Sequence, residues 1–206
     1  MPRLPRSFFT RDAITVARAL LGQVIQHRTA EGLAAGRIVE VEAYLGEEDP
    51  ASHAFRGPRG RAEVMFRRGG IAYVYFSYGM HWCMNVVTGP AGTGGAVLLR
   101  ALEPTVGIPL MQHRRGREKA TDLASGPGKL AQALGIDQAQ NAADLTGSAL
   151  TILSAPPPAR IASSPRIGIT RAADWPLRFY IPGSPHVSQG SRSWTRRVTP
   201  EPGKPR

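Results

Sequence analysis

The chain of 206 residues carries 26 Lys and Arg against 15 Asp and Glu, a formal net charge of +11, with 42% hydrophobic residues, a length and apolar content that suit one globular domain. No apolar run approaches the roughly 20 residues of a membrane span, and residues 1–6 lack a signal-peptide apolar segment, so a soluble cytoplasmic protein is expected. The single cysteine, Cys83, excludes an internal disulfide and a zinc site built on paired thiols, while the charge favours a polyanionic partner, nucleic acid first.

Ile14, Val16, Ala17, Leu20 and Leu21 recur at near-helical spacing behind Thr10 or Asp12 as candidate caps, and Gly22 stops the helix. Residues 23–28 and 36–44, separated by a turn rich in Gly and Ala, read as two strands of a hairpin or meander. Residues 45–61 hold Pro50, Gly57, Pro58 and Gly60 and read as a long loop, which in a compact domain is functional or disordered. Residues 71–78 and 81–88 are aromatic and β-branched runs joined at Tyr78-Gly79, and residues 96–102 form a further apolar strand. Thr105 is expected to open a helix that runs to Arg115. Ser125 is expected to cap another, with Pro127 near its first position and Gly135 past its end. Strands are expected over 150–153, 166–170 and 177–181. The whole reads as one α+β domain over residues 1–188. The basic tail over 189–206 offers little periodic apolar surface and is expected to be mobile.

The two-residue period of a strand sets Val39, Val41 and Ala43 on one face of residues 37–44 and Glu40, Glu42 and Tyr44 on the other. That second face is either solvated or the wall of a cleft in which one carboxylate acts as general base beside an aromatic ring. His53 follows in the long loop. No second His or Cys stands at a ligating distance from it along the chain, so no metal is expected. At the tip of the aromatic hairpin, Tyr78 and Met80 flank Gly79, where large apolar side chains lower solubility. Such tips beside basic segments, here Arg56, Arg59, Arg61, Arg67 and Arg68, are used to wedge between base pairs.

The order Leu20-Leu21-Gly22, Arg37 to Glu40, Glu42 to Gly46, Asp49, His53, Tyr73-Val74-Tyr75, Tyr78-Gly79-Met80, Cys83-Met84-Asn85, Leu98 to Pro104, Ser125-Gly126-Pro127 with Lys129-Leu130, and Leu177 to Tyr180 resembles the alkyladenine (3-methyladenine) DNA glycosylase family. Many colinear, correctly spaced motifs carry more weight than one short pattern. The resemblance implies a curved antiparallel sheet with surrounding helices and a protruding hairpin that enters the DNA minor groove. It implies a cofactor-free monomer acting on double-stranded DNA that contains damaged purines, without strand cleavage. It assigns Glu42 as the base that activates water and Arg100 as the residue that helps hold that water. Tyr44, His53, Tyr75, Asn85 and Leu98 would form the pocket for the extruded base, Asn85 by crowding the exocyclic amine of guanine. Tyr78 would fill the gap left in the duplex, with Met80 beside the groove. Ser125, Gly126, Lys129 and Arg166 would contact phosphates.

Two other readings of the same residues remain at this point. A non-catalytic nucleic-acid binder would leave Glu42 a solvated strand residue. A carbohydrate hydrolase could use Glu40 and Glu42, about 7 Å apart along one strand face, but has no need of so basic a surface.

Overall fold

Asp12, rather than Thr10, caps the first long helix: its carboxylate accepts from the Thr15 N–H at 2.8 Å. That helix, α2 (Ala13–Leu20), follows a single turn, α1 (Arg6–Phe9), which the sequence pattern did not reveal. The computed structural model describes residues 1–77, 79–147 and 149–188. The wedge expected of Tyr78 and the mobility expected of the tail over 189–206 lie outside the described residues.

Eight strands form one antiparallel, curved, open sheet: β1 (Val24–Thr29), β2 (Gly32–Leu45), β3 (Ala72–Ser77), β4 (His81–Thr88), β5 (Gly95–Val106), β6 (Leu150–Leu153), β7 (Ala162–Ser164) and β8 (Arg178–Tyr180). The order is β3-β4-β5-β2-β1-β6. The long β2 pairs with β5 on one side, and with β1 and then β8 on the other. Two expected boundaries move. Strand β5 continues through Thr105, and helix α3 (Ile108–Arg115) starts only after Gly107, whose φ of +71° and tight approach to the Leu33 carbonyl require glycine. The strand expected over 166–170 is irregular chain, because the Ile167 N–H bonds to a side chain; β7 lies just upstream of it.

The core fills one face of the sheet. Ile38, Val41, Ala43, Val74, Met84, Val86, Val97 and Leu99 pack there against Val16, Ala17 and Leu20 of α2, Met111 of α3, and Leu130, Ala131 and Leu134 of α5 (Pro127–Leu134). Helix α5 ends at Gly135 as expected, but Gly126 precedes it without a side-chain cap. Ser125 instead makes a backbone bridge to Ala101. A four-residue turn, α4 (Ala120–Leu123), links α3 to this segment.

The alternation predicted for residues 37–44 fails at its start. The β2–β5 ladder slips at Val39 and again at Arg100, so Ile38 enters the main core and Val39 packs with Ala101 and Val187. Bulges of this kind re-aim side chains. Glu42 and Tyr44 keep the face expected of them.

Residues 45–66 are ordered by three 3-10 turns, Gly46–Glu48, His53–Arg56 and Gly60–Phe66. Ala54, Ala62 and Met65 from this segment form a second cluster with Tyr73, Val87 and Ala96. The segment thereby closes over the sheet face that the helices leave uncovered.

Candidate active site

Opposed residues in an antiparallel ladder point to the same side, so register alone assembles the centre of this second face. Glu42 on β2 stands opposite Leu98 on β5, Leu98 opposite Asn85 on β4, and Asn85 opposite Tyr73 on β3. Two residues along, Tyr75 stands opposite Cys83. A cleft of about 710 Å³ lies on this face, lined among others by Tyr44, His53, Tyr73, Tyr75, Leu98 and Arg100, a size suited to a small ring system.

Its chemistry is asymmetric. On the β2 side the Glu42 carboxylate has no exposed surface. Its Oε1 accepts from the Ile167 N–H at 2.7 Å and faces Arg100 Nη1 at 3.0 Å; its Oε2 accepts from the Tyr44 hydroxyl at 3.0 Å. An ionised carboxylate offers about four acceptor positions, two on each oxygen, so Oε2 retains one for a further donor. Burial pushes the Tyr44 hydroxyl well above its ordinary pKa, and the adjacent Glu42 charge and hydrogen bond push it further, so Tyr44 remains a donor. For Arg100, burial opposes the charge, and the Glu42 and Glu40 carboxylates outweigh it, holding the guanidinium charged.

The opposite wall is aromatic, with the Arg61 guanidinium against it, 5.5 Å from the centre of the Tyr75 ring. Tyr73 and Tyr75 stack at 5.4 Å between ring centroids, and His53 sets its ring edge-on to Tyr75 at 4.6 Å. His53 Nδ1 lies 2.8 Å from the Tyr73 hydroxyl, and Nε2 lies 3.3 Å from Arg61 Nη2. Arginine can only donate, so Nε2 accepts and the proton sits on Nδ1. Burial, then the Arg61 charge, lowers the His53 pKa from 6.5 to about 4. An NMR titration should therefore find the His53 ring signals flat from about pH 8 down to about pH 5 and moving only below that. A midpoint near 6.5 would show the ring open to solvent and able to charge.

The sequence-predicted residues separate into groups. Tyr44, His53, Tyr75, Asn85, Leu98 and Arg100 line the cleft, and Glu42 is buried next to it, opposite Leu98 in the ladder and bonded to Tyr44 and Ile167 of the lining. Asn85 is buried and donates from Nδ2 to the Tyr73 carbonyl at 3.2 Å. Gly126 and Lys129 stand at the cleft margin, with Lys129 Nζ 3.4 Å from Ser125 Oγ. Met80 is exposed at the hairpin turn. Arg166 is corrected: its guanidinium is buried, grips both carboxylate oxygens of Asp49, donates to the Ala43 carbonyl at 3.0 Å and lies over the Tyr44 ring at 4.6 Å. Placed there it offers no surface to a phosphate. Among the described residues, no group of three or more His, Cys, Asp or Glu could hold a metal ion.

Several participants carried no assigned role in the sequence reading. Tyr73 was legible as the same-face neighbour of Tyr75 two residues away. The ion pairs of Glu40 with Arg178 and of Asp49 with Arg166 span 138 and 117 residues and had no local signal.

A family model described as methylpurine-DNA glycosylase matches residues 7–185. A protein of Methanoculleus marisnigri, provisionally named a 3-methyladenine DNA glycosylase, is 54% identical over 191 residues, which cover 90% of this chain and 98% of that protein. Relatives with the same provisional name from Chlorobium luteolum and Rhizobium etli are 47% and 54% identical over 94% and 91% of the chain, and over 100% and 89% of their own lengths. The chain belongs to the methylpurine-DNA glycosylase family.

Proposed function

We propose that this protein removes alkylated or deaminated purines, such as 3-methyladenine, 7-methylguanine, hypoxanthine and ethenoadenine, from duplex DNA by hydrolysing the N-glycosidic bond. The observation that carries the reading is the Glu42 carboxylate, fixed by Arg100, Tyr44 and Ile167 at one edge of an aromatic cleft.

A base within the duplex is out of reach of such a cleft, so the nucleotide must be extruded. Tyr44 on one side and His53 with Tyr75 on the other receive it. A neutral His53 adds no positive charge to that of Arg61 on this wall, and electron-rich rings favour an electron-poor base. Water then gives a proton to the free position of Glu42 Oε2 while its oxygen bonds to the anomeric carbon. The glycosidic electron pair leaves with the base, so a cationic alkylpurine departs neutral. Arg100 orients the water and balances charge on Glu42. Asn85, buried beside Leu98, crowds the place of a guanine amino group. Met80, with Gly126, Lys129 and Ser125, meets the duplex, and the role proposed for Tyr78 is to fill the gap that the extruded base leaves. No lysine is assigned as nucleophile, so no imine forms and the strand stays intact.

The decisive experiment incubates the protein with duplexes that each hold one lesion, then applies hot alkali. Strand breaks at the lesion are expected after alkali and not before it. Tight binding without alkali-labile sites would leave only a binding protein. The hydrolase reading with paired carboxylates is disfavoured by Glu40, whose oxygens accept from two arginines and from the backbone and hydroxyl of Ser188.

A further inference from the structure

We propose that Glu40 is a positioning residue for excision, acting through Arg100; the proposal rests on the reading that Glu42 and Arg100 carry the reaction. Glu40 is fully buried. Its Oε1 accepts from Arg100 Nε at 2.9 Å, Arg178 Nε at 2.7 Å and the Ser188 hydroxyl at 2.8 Å, and its Oε2 accepts from the Ser188 N–H at 2.6 Å. Three donors crowd Oε1 and one reaches Oε2, and all four come from the protein, so Glu40 is committed to holding Arg100, Arg178 and Ser188.

Its effect is on Arg100, which is held at both ends. The Nε edge rests on Glu40 and Nη1 rests on Glu42. A guanidinium fixed at one end can swing about its long side chain; fixed at two, its plane is set. The ladder is adjusted for this arrangement. Two of the three register slips between β2 and β5 fall around these residues, leaving Val39 unmatched on β2 and Arg100 unmatched on β5. A regular ladder would have matched Arg100 to a β2 residue and kept strict alternation of the two side chains.

The charges also balance, because two carboxylates, Glu40 and Glu42, face two guanidiniums, Arg100 and Arg178. Arg178 donates its Nη1 to Ser164 Oγ at 2.8 Å, so β7, β8 and the segment at Ser188 all converge on the far side of Glu40 from the cleft. Burial disfavours the charge on Glu40, yet the Arg100 and Arg178 guanidiniums outweigh it and hold the carboxyl below its ordinary range.

The test is a double-mutant cycle read in single-turnover excision and in binding to lesion duplex. Glu40→Gln keeps the shape, removes the charge and turns an amide toward the Ser188 N–H. It should slow excision about 10–100-fold, the usual cost of losing a group that orients a catalytic residue. The Kd for lesion duplex should change by less than about threefold, since Glu40 touches no DNA. In an Arg100→Ala background the same change should cost less than about twofold, because the residue through which Glu40 acts is gone. Glu40→Asp, which keeps the charge, should recover part of the rate. If Glu40→Gln fails to fold, Ser188→Ala removes one donor without a change of charge and should give a smaller loss that also vanishes beside Arg100→Ala. Equal losses in both backgrounds would overturn the proposal while leaving the glycosylase reading intact. A wild-type protein that releases no base from any lesion duplex overturns both.

Discussion

Glu42→Gln should lower the single-turnover rate of base release by about 10³-fold, the middle of the range for removing a general base. Binding to the same lesion duplex should stay within a few fold, because the amide occupies the same volume and Glu42 has no exposed surface to offer DNA. The packing dictates how the amide sits. Its oxygen must take the place of Oε1, to which the Ile167 N–H donates and beside which the Arg100 guanidinium lies. Its NH2 then replaces Oε2, the oxygen with the vacant acceptor position, and the Tyr44 hydroxyl turns from donor to acceptor. The site keeps its shape and loses its proton acceptor. Chemistry and binding should therefore separate. A variant that still releases base at a near wild-type rate would take Glu42 out of the mechanism, and one that loses binding as well would show that the carboxylate shapes the cleft.

How much of this was legible from sequence depended on whether a signal was local. The period of two along β2 and β3 placed Glu42 with Tyr44, and Tyr73 with Tyr75, on single faces, and both pairs meet in the cleft. The same rule misplaced Val39, because it assumes an unbroken ladder and the bulges are set by the partner strand. At Thr105 the local signal for a helix lost to pairing of β5 with β2, and the helix waited for Gly107. Ser125 has the composition of a helix cap, but tertiary pairing with Ala101 took it one residue out of position.

Arg166 shows the limit most plainly. The family resemblance made it a phosphate contact, and the net charge of +11 gave no reason against that. Its actual partner, Asp49, lies 117 residues away in the long loop. Composition gives the sign of the surface, not which cations remain on it. The identification of the Glu42 and Arg100 pair came from colinear motifs, whereas the support for that pair by Glu40, Arg178 and Ser188 appears only in three dimensions.

Asp49→Ala should destabilise the fold by about 3–5 kcal/mol, the cost of removing one partner from a buried ion pair. Both side chains of the Asp49–Arg166 pair are fully buried, and the contact is bidentate. Without Asp49 the Arg166 guanidinium keeps the Ala43 carbonyl and the Tyr44 and Trp175 rings as partners, and no counter-charge. The Leu45 and Ala51 N–H groups, which donate to Asp49 at 3.2 and 3.0 Å, lose their acceptors as well. For a chain of this length the melting temperature should fall on the order of 10 °C. The contrast is the exposed pair of Glu31 with Arg114, in which Glu31 is 57% exposed. Glu31→Ala should cost no more than about 1 kcal/mol, since solvent already screens that pair and Arg114 has other acceptors. The damage at Asp49 should also reach the cleft. Arg166 backs the ring of Tyr44 and is followed by Ile167, whose N–H holds Glu42, so excision should fall even at temperatures where the variant stays folded. Replacing both partners, as Asp49→Leu with Arg166→Met, removes the uncompensated charge and should recover a large part of the stability. It should not recover excision to the same extent, because the Ile167 N–H would lack the clamp that sets its position. A melting temperature unchanged by Asp49→Ala would mean that water reaches Arg166 and that the clamp is open; full recovery of excision in the double variant would show that the pair supports the fold and has no part in aiming Glu42.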